Sequence, residues 1–134
     1  MSETKKQEYI NGPCEKVTRA RVPLSHSTKN QESEKALEAK LRTEVEKRGG
    51  MALKLMSQYH RGLPDRMVLM PQGAVHFVEL KSTGEKPIAL QTHCHNQIRN
   101  LGHSVSIIDS TQRLQDFLFI LDLEQIELAN NPKR

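Results

Sequence analysis

The stretch Gly62-Leu63-Pro64-Asp65-Arg66-Met67-Val68-Leu69-Met70-Pro71-Gln72-Gly73-Ala74-Val75-His76-Phe77-Val78-Glu79-Leu80-Lys81 decides how the chain is read. Met67 to Met70 is a short apolar run, Pro71 to Ala74 is turn chemistry, and Val75 to Val78 resumes an apolar, β-favouring run. The pattern predicts a β-hairpin. Closing it over the four turn residues sets Met70 opposite Val75 and, in the same register, Asp65 opposite Leu80. Side chains alternate along a strand, so Glu79 and Lys81 share a face, and a one-residue bulge would bring Asp65 onto it.

An acid followed by acid-x-lysine has a specific chemical use. Carboxylates gathered at one point repel unless a cation neutralises them, and hard oxygen ligands suit magnesium, with manganese as a substitute. A lysine beside such an ion can hold an attacking water and balance phosphate charge, which together make the hydrolysis of a phosphodiester. The plainer alternative is that Asp65 ends a turn while Glu79 and Lys81 belong to a solvated strand face. Their place on an otherwise apolar strand argues against it.

With these residues in view, the chain resembles the PD-(D/E)XK nuclease superfamily, and Gly62 to Arg66, Phe77 to Lys81 and Gln91 together resemble its VRR-NUC branch. The likeness runs over residues 33 to 121 and includes Gly49, Gly50 and Lys54. It implies an α/β fold, the restriction-endonuclease-like αβββαβ core with a mixed central sheet flanked by helices. It also implies that Asp65 and Glu79 are metal ligands, joined by the backbone carbonyl of Leu80, that Lys81 is the catalytic lysine, and that Lys54 lies near the site. For Gln91 it implies a role in orienting the lysine or a bound water; an ordinary exposed helix glutamine is the alternative.

The family usually carries a further acid on its first helix. Leu37, Leu41 and Val45 mark the buried stripe of that helix, and on a helical wheel Glu34 and Glu38 both fall on or beside it, whereas Glu46 points away. Glu38 is the first choice because it also matches the family position ahead of Gly49. Glu34 is the second, since behind an N-cap Ser33 it is also a first-turn acid favoured by the helix dipole.

In a second helix after Pro87, Leu90, Cys94, Ile98 and Leu101 are expected to form the apolar stripe, with Gly102 as the stop. His93 and His95 point to different sides of such a helix, so His93-Cys94-His95 does not make a zinc site, and Cys94 reads as core. Arg61, next to His60, and Arg66 flank the aspartate and are candidates, with Lys54, for contact with nucleic-acid phosphates. A strand at 104 to 109 and a final helix from Ser110 complete the order.

At 134 residues and 36% hydrophobic content, the chain suits one modest core. Its two cysteines, Cys14 and Cys94, imply no disulfide framework and a reducing cytoplasm, in a bacterial or phage-infected cell. No apolar run reaches membrane-spanning length, and no membrane partner is expected. Residues 1–30 hold six Lys/Arg against three Glu and read as a flexible basic extension; they carry +3 of the net +4, leaving the nuclease-like part, residues 31–128, nearly neutral before a tail at 129–134. Basicity is therefore weak support for nucleic-acid binding, and the site must carry the functional argument.

Taken together, the sequence predicts a magnesium-dependent DNA endonuclease. The resemblance extends this to branched DNA, such as four-way (Holliday) junctions, cut by a homodimer in recombination, repair or phage replication. The alternatives are an exonuclease or restriction-type enzyme, or a non-catalytic nucleic-acid-binding module on the same fold. Five successive apolar residues, Phe117 to Leu121, exceed what one buried helical face needs; they suggest a dimer interface, with a fully buried final helix or strand as the alternative.

Overall fold

The computed structural model describes residues 32–132. The extension expected over residues 1–30 lies outside them. The first helix, α1 (Glu34–Lys47), starts as its sequence requires: Ser33 is the N-cap, its hydroxyl accepting from the Ala36 N–H at 3.2 Å, and Glu34 sits in the first turn. Leu37, Leu41 and Val45 recur one turn apart and are fully buried. The chain then turns through Gly49 and Gly50 into β1 (Met51–Lys54). A Cβ on Gly50 would stand 2.7 Å from the Leu69 carbonyl oxygen, so only glycine lets this turn cross so close to the next strand.

β2 (Arg66–Leu69) and β3 (Val75–Leu80) form the predicted hairpin, but in a different register. Leu69, not Met70, lies opposite Val75, and the Met70 N–H donates to the Ala74 carbonyl at 2.8 Å. The loop is thus only Pro71–Gly73, with Gln72 at φ 66° and Gly73 at φ 83°. Ala74 is drawn into the ladder because two successive left-handed residues reverse the chain more tightly than a four-residue turn.

α2 (Ala89–Asn100) crosses over to β4 (Ser104–Ile108), which runs parallel to β3, and α3 (Thr111–Asn130) closes the chain. The sheet order is β1-β2-β3-β4, antiparallel except for the last pair. α3 begins at N-cap Ser110 and runs through Asn130, so helix replaces the start of the tail expected from residue 129.

The core lies on one face of the sheet. There α1 and α3 pack over Val68, Val78, Leu80 and Ile108, with Leu114, Phe117, Leu118 and Leu121 supplied by α3. His76 is buried on that side too, with Nδ1 2.7 Å from the Ser104 hydroxyl and Nε2 2.5 Å from the Glu124 carboxylate. The run Phe117 to Leu121 splits between two sides of α3: Phe117, Leu118 and Leu121 enter the core, whereas Phe119 and Ile120 stay exposed beside Leu123 and Ile126. Among the described residues no helix is long and apolar enough to cross a membrane.

Candidate active site

The observed register simplifies the site. Continued by one residue past the Arg66–Val78 pair, it sets Asp65 directly opposite Glu79, and opposed residues point to the same face. No bulge is needed. Asp65 Oδ2 accepts a 2.7 Å hydrogen bond from the Leu80 N–H, which fixes the carboxylate against β3.

Glu79 is the centre of the arrangement. It is fully buried, on the side of the sheet away from the apolar core. Its Oε1 accepts from Gln91 Nε2 at 2.7 Å and lies 3.4 Å from Lys81 Nζ. Burial, then the charge of Asp65, pushes its carboxyl up to about 7, against partial relief from Lys81. Two carboxylates and one ammonium thus share a desolvated corner. An added cation would relieve it.

Gln91 is held from both sides. Its Oε1 accepts from the Ile88 N–H at 3.1 Å, capping α2, while its amide nitrogen donates to Glu79. The start of α2 is seated against the Gly62 loop. Gly62 has φ +83°, and a Cβ there would come within 2.6 Å of the Leu90 carbonyl oxygen, so the glycine ahead of Asp65 allows α2 to approach.

This seating turns α2 partly away from its expected stripe. Of the expected stripe Cys94 and Ile98 are half-buried, whereas Leu90 and Leu101 at its two ends are exposed, and the residue of α2 that is buried is His95, 1% exposed. His95 stands one turn beyond Gln91 on the same side, with Nε2 3.3 Å from Glu79 Oε2. Neither His95 nitrogen nor Glu79 Oε2 has a hydrogen-bond partner. Burial and then Arg99 lower the imidazole's pKa, which favours the neutral form. The sequence reading missed this neighbour; the four-residue spacing from Gln91 was the available signal.

On α1 the two candidate acids separate. Glu38 is ion-paired with the guanidinium of Arg66, which also donates to the Ala52 carbonyl at 3.1 Å. Arg66 is itself buried on the core side of the sheet, so the expectation that it meets DNA is corrected: its donors are turned inward and engaged. Glu34 is exposed, and after burial the next influence raising its pKa is the charge of Asp65, with Lys81 opposing. Glu34, one turn earlier, is thus within electrostatic reach of Asp65 and Lys81. Lys54 is exposed at the end of β1, opposite Arg66, and Arg61 is exposed in the loop before Asp65.

Among the described residues no group of three or more His, Cys, Asp or Glu side chains is placed to hold a metal ion. The donors nonetheless fit magnesium, which commonly takes one or two carboxylates and completes its octahedron with water and substrate oxygens. The unpartnered Glu79 Oε2 in a fully buried carboxyl is the feature that such an ion would use.

The mixed sheet, with α1 and α3 on one face and α2 on the other, is the restriction-endonuclease-like α/β fold. Among solved structures, a chain described as "VRR_NUC domain" has it with a TM-score of 0.60 and 23% identity, covering 76% of this chain and 100% of that one. No family model matches the sequence. Over 77 residues, 58% of this chain and 83% of the relative, the sequence is 46% identical to a protein of Acyrthosiphon pisum secondary endosymbiont phage 1 named "Putative nuclease p44". The chain belongs to the family of that phage protein, a family built on the VRR-NUC fold.

Proposed function

We propose that the chain is a metal-dependent nuclease that hydrolyses phosphodiester bonds in DNA, using magnesium held by Asp65, Glu79 and the Leu80 carbonyl. The observation that carries this is Glu79: a fully buried carboxyl beside Asp65 and Lys81, with one oxygen unpartnered. When bound, the ion supplies positive charge to the oxygens that become crowded and charged at the phosphorus. Lys81 orients the attacking water and balances phosphate charge. Gln91 keeps the Glu79 carboxylate in one orientation. Glu34, or Glu38 after a change of partner, adds a further acid from α1, and Lys54 and Arg61 are exposed cations available to the DNA backbone.

The finer reading is an endonuclease acting on branched DNA as a homodimer. Its support is α3, whose outer side exposes Phe119, Ile120, Leu123 and Ile126. A two-fold pairing there would cover an apolar patch and give two sites for incisions in opposing strands.

The test is a panel of labelled four-way junctions, flaps, splayed arms, linear duplex and single strands with magnesium or manganese. Preferential cutting of branched species that Asp65→Ala lacks is expected; full activity in Asp65→Ala would end the proposed site. Light scattering after size exclusion tests the dimer, and Phe119→Glu should give a folded monomer that nicks but does not resolve junctions. A wild-type protein that is monomeric at micromolar concentration, alone and on a junction, removes the dimer.

A further inference from the structure

The only buried residue of α2 is a histidine, and its neighbour is a carboxyl that is fully buried, the only such acid among the described residues. A helix face packed on a sheet ordinarily buries apolar side chains, and an imidazole there without a partner is destabilising relative to a satisfied one. Leucine would fill similar space without that cost. His76 shows what a satisfied histidine looks like in this fold: both of its nitrogens have partners. His95 has neither, yet its Nε2 is 3.3 Å from the equally unpartnered Glu79 Oε2.

We infer that His95 is a positioning residue for the Glu79 carboxylate. Gln91 and His95, one turn apart on α2, approach the two oxygens of that carboxylate separately, Gln91 at Oε1 and His95 at Oε2. A small rotation of either side chain converts the 3.3 Å contact into an Nε2–H···Oε2 hydrogen bond. The pair then fixes the carboxylate plane, and each oxygen keeps its second lone pair for the ion proposed above. At 1% exposure His95 cannot touch substrate, so it acts only through Glu79. Partners of this kind behind a ligating group commonly change metal affinity or activity by about 10–100-fold when removed.

This rests on the metal-site reading above, and the experiment separates the two. Wild type, Asp65→Ala, His95→Leu and His95→Gln are titrated with manganese chloride by calorimetry. Their metal-free melting temperatures are measured alongside. The glutamine amide nitrogen falls close to the place of imidazole Nε2 and can donate in its stead; leucine cannot.

The expected result is that His95→Leu melts at or above the wild-type temperature, binds manganese about 10–100-fold more weakly, and that His95→Gln recovers most of the affinity. If leucine is not accommodated, His95→Met supplies the apolar variant. Equal manganese affinity in the apolar variant and wild type overturns the inference while leaving the metal site standing, as does equal impairment of the apolar variant and His95→Gln. No manganese binding by wild type overturns the metal-site reading and this inference together; wild-type binding that Asp65→Ala loses leaves only the His95 comparison to decide.

Discussion

The two faces of the sheet each bury a histidine and treat it in opposite ways. Under α1 and α3, His76 is bonded at both nitrogens to Ser104 and Glu124, amid a continuous apolar cluster. Under α2, His95, Glu79, Gln91 and Lys81 crowd together with polar atoms left over. The first face is complete as it stands and holds the fold. The second leaves buried polar atoms unsatisfied, and it is the face on which the proposed cation site is built.

The sharpest break between the faces concerns activity. Asp65→Ala or Glu79→Ala should lower cleavage by about 100–1,000-fold, a loss on the scale of removing a main transition-state stabiliser, while far-ultraviolet circular dichroism stays native. Lys81→Ala should lose chemistry yet still bind manganese. Retained cleavage in both carboxylate variants would show that the α2 face is not the working one.

The core face should answer in stability instead. Leu121→Ala, at a fully buried position, is expected to cost about 2–5 kcal/mol in urea unfolding, with activity per folded molecule unchanged. A smaller loss would mean that the α3 seam can collapse around the cavity.

The acids of α1 sharpen the boundary between the faces. Glu38→Gln removes the partner of the buried Arg66 and should destabilise by about 1–3 kcal/mol, with the metal requirement little changed. Glu34→Gln should raise the metal concentration needed for half-maximal cleavage and cost less than about 1 kcal/mol. The reverse ranking would return the helix acid to Glu38.

The smallest effect is in pH dependence. Glu79 rises from an ordinary 4.5 to about 7 in the fold, so the folded protein holds that proton more tightly than the unfolded chain. Its contribution is full below 4.5 and is lost as pH rises through about 7. His95, lowered from 6.5, works the other way, stabilising as pH rises through that value. The Glu79 part is therefore read by difference: without metal, Glu79→Gln should gain melting temperature over wild type from pH 5 to pH 8. A constant gap would mean that Glu79 is not desolvated in solution.

Much of this was legible before any coordinates. The hairpin, the N-cap Ser33, the strand from Ser104, the helix from Ser110 and the common face of Glu79 and Lys81 follow from period, turn chemistry and spacing; Asp65 joins them through the observed register rather than the expected bulge. What was not legible depends on tertiary seating. The hairpin register turned on whether Gln72 would accept a left-handed backbone, which its residue type does not announce. The packed side of α2, seated against Gly62, keeps Cys94 and Ile98 of the expected stripe but takes Gln91 and His95 in place of Leu90 and Leu101. Glu38 lies one residue from the buried Leu37, but the wheel could not see that Arg66, on the core side of the sheet, would meet it.

Glu32 has a consequence for anyone who shortens this protein. It precedes α1, yet its backbone N–H donates to the Thr83 hydroxyl at 3.0 Å, just past Lys81, and its carboxylate accepts from the Thr111 backbone and hydroxyl and from Lys40. One residue thus laces the segment after the hairpin, through its backbone, to the first turn of α3, through its side chain, and the bonds from Thr111 and Lys40 hold its pKa below the ordinary value. A trimmed version should begin no later than Glu32. Starting at the helix itself, the natural place to cut on sequence grounds, would untie the knot that keeps both ends of the fold together.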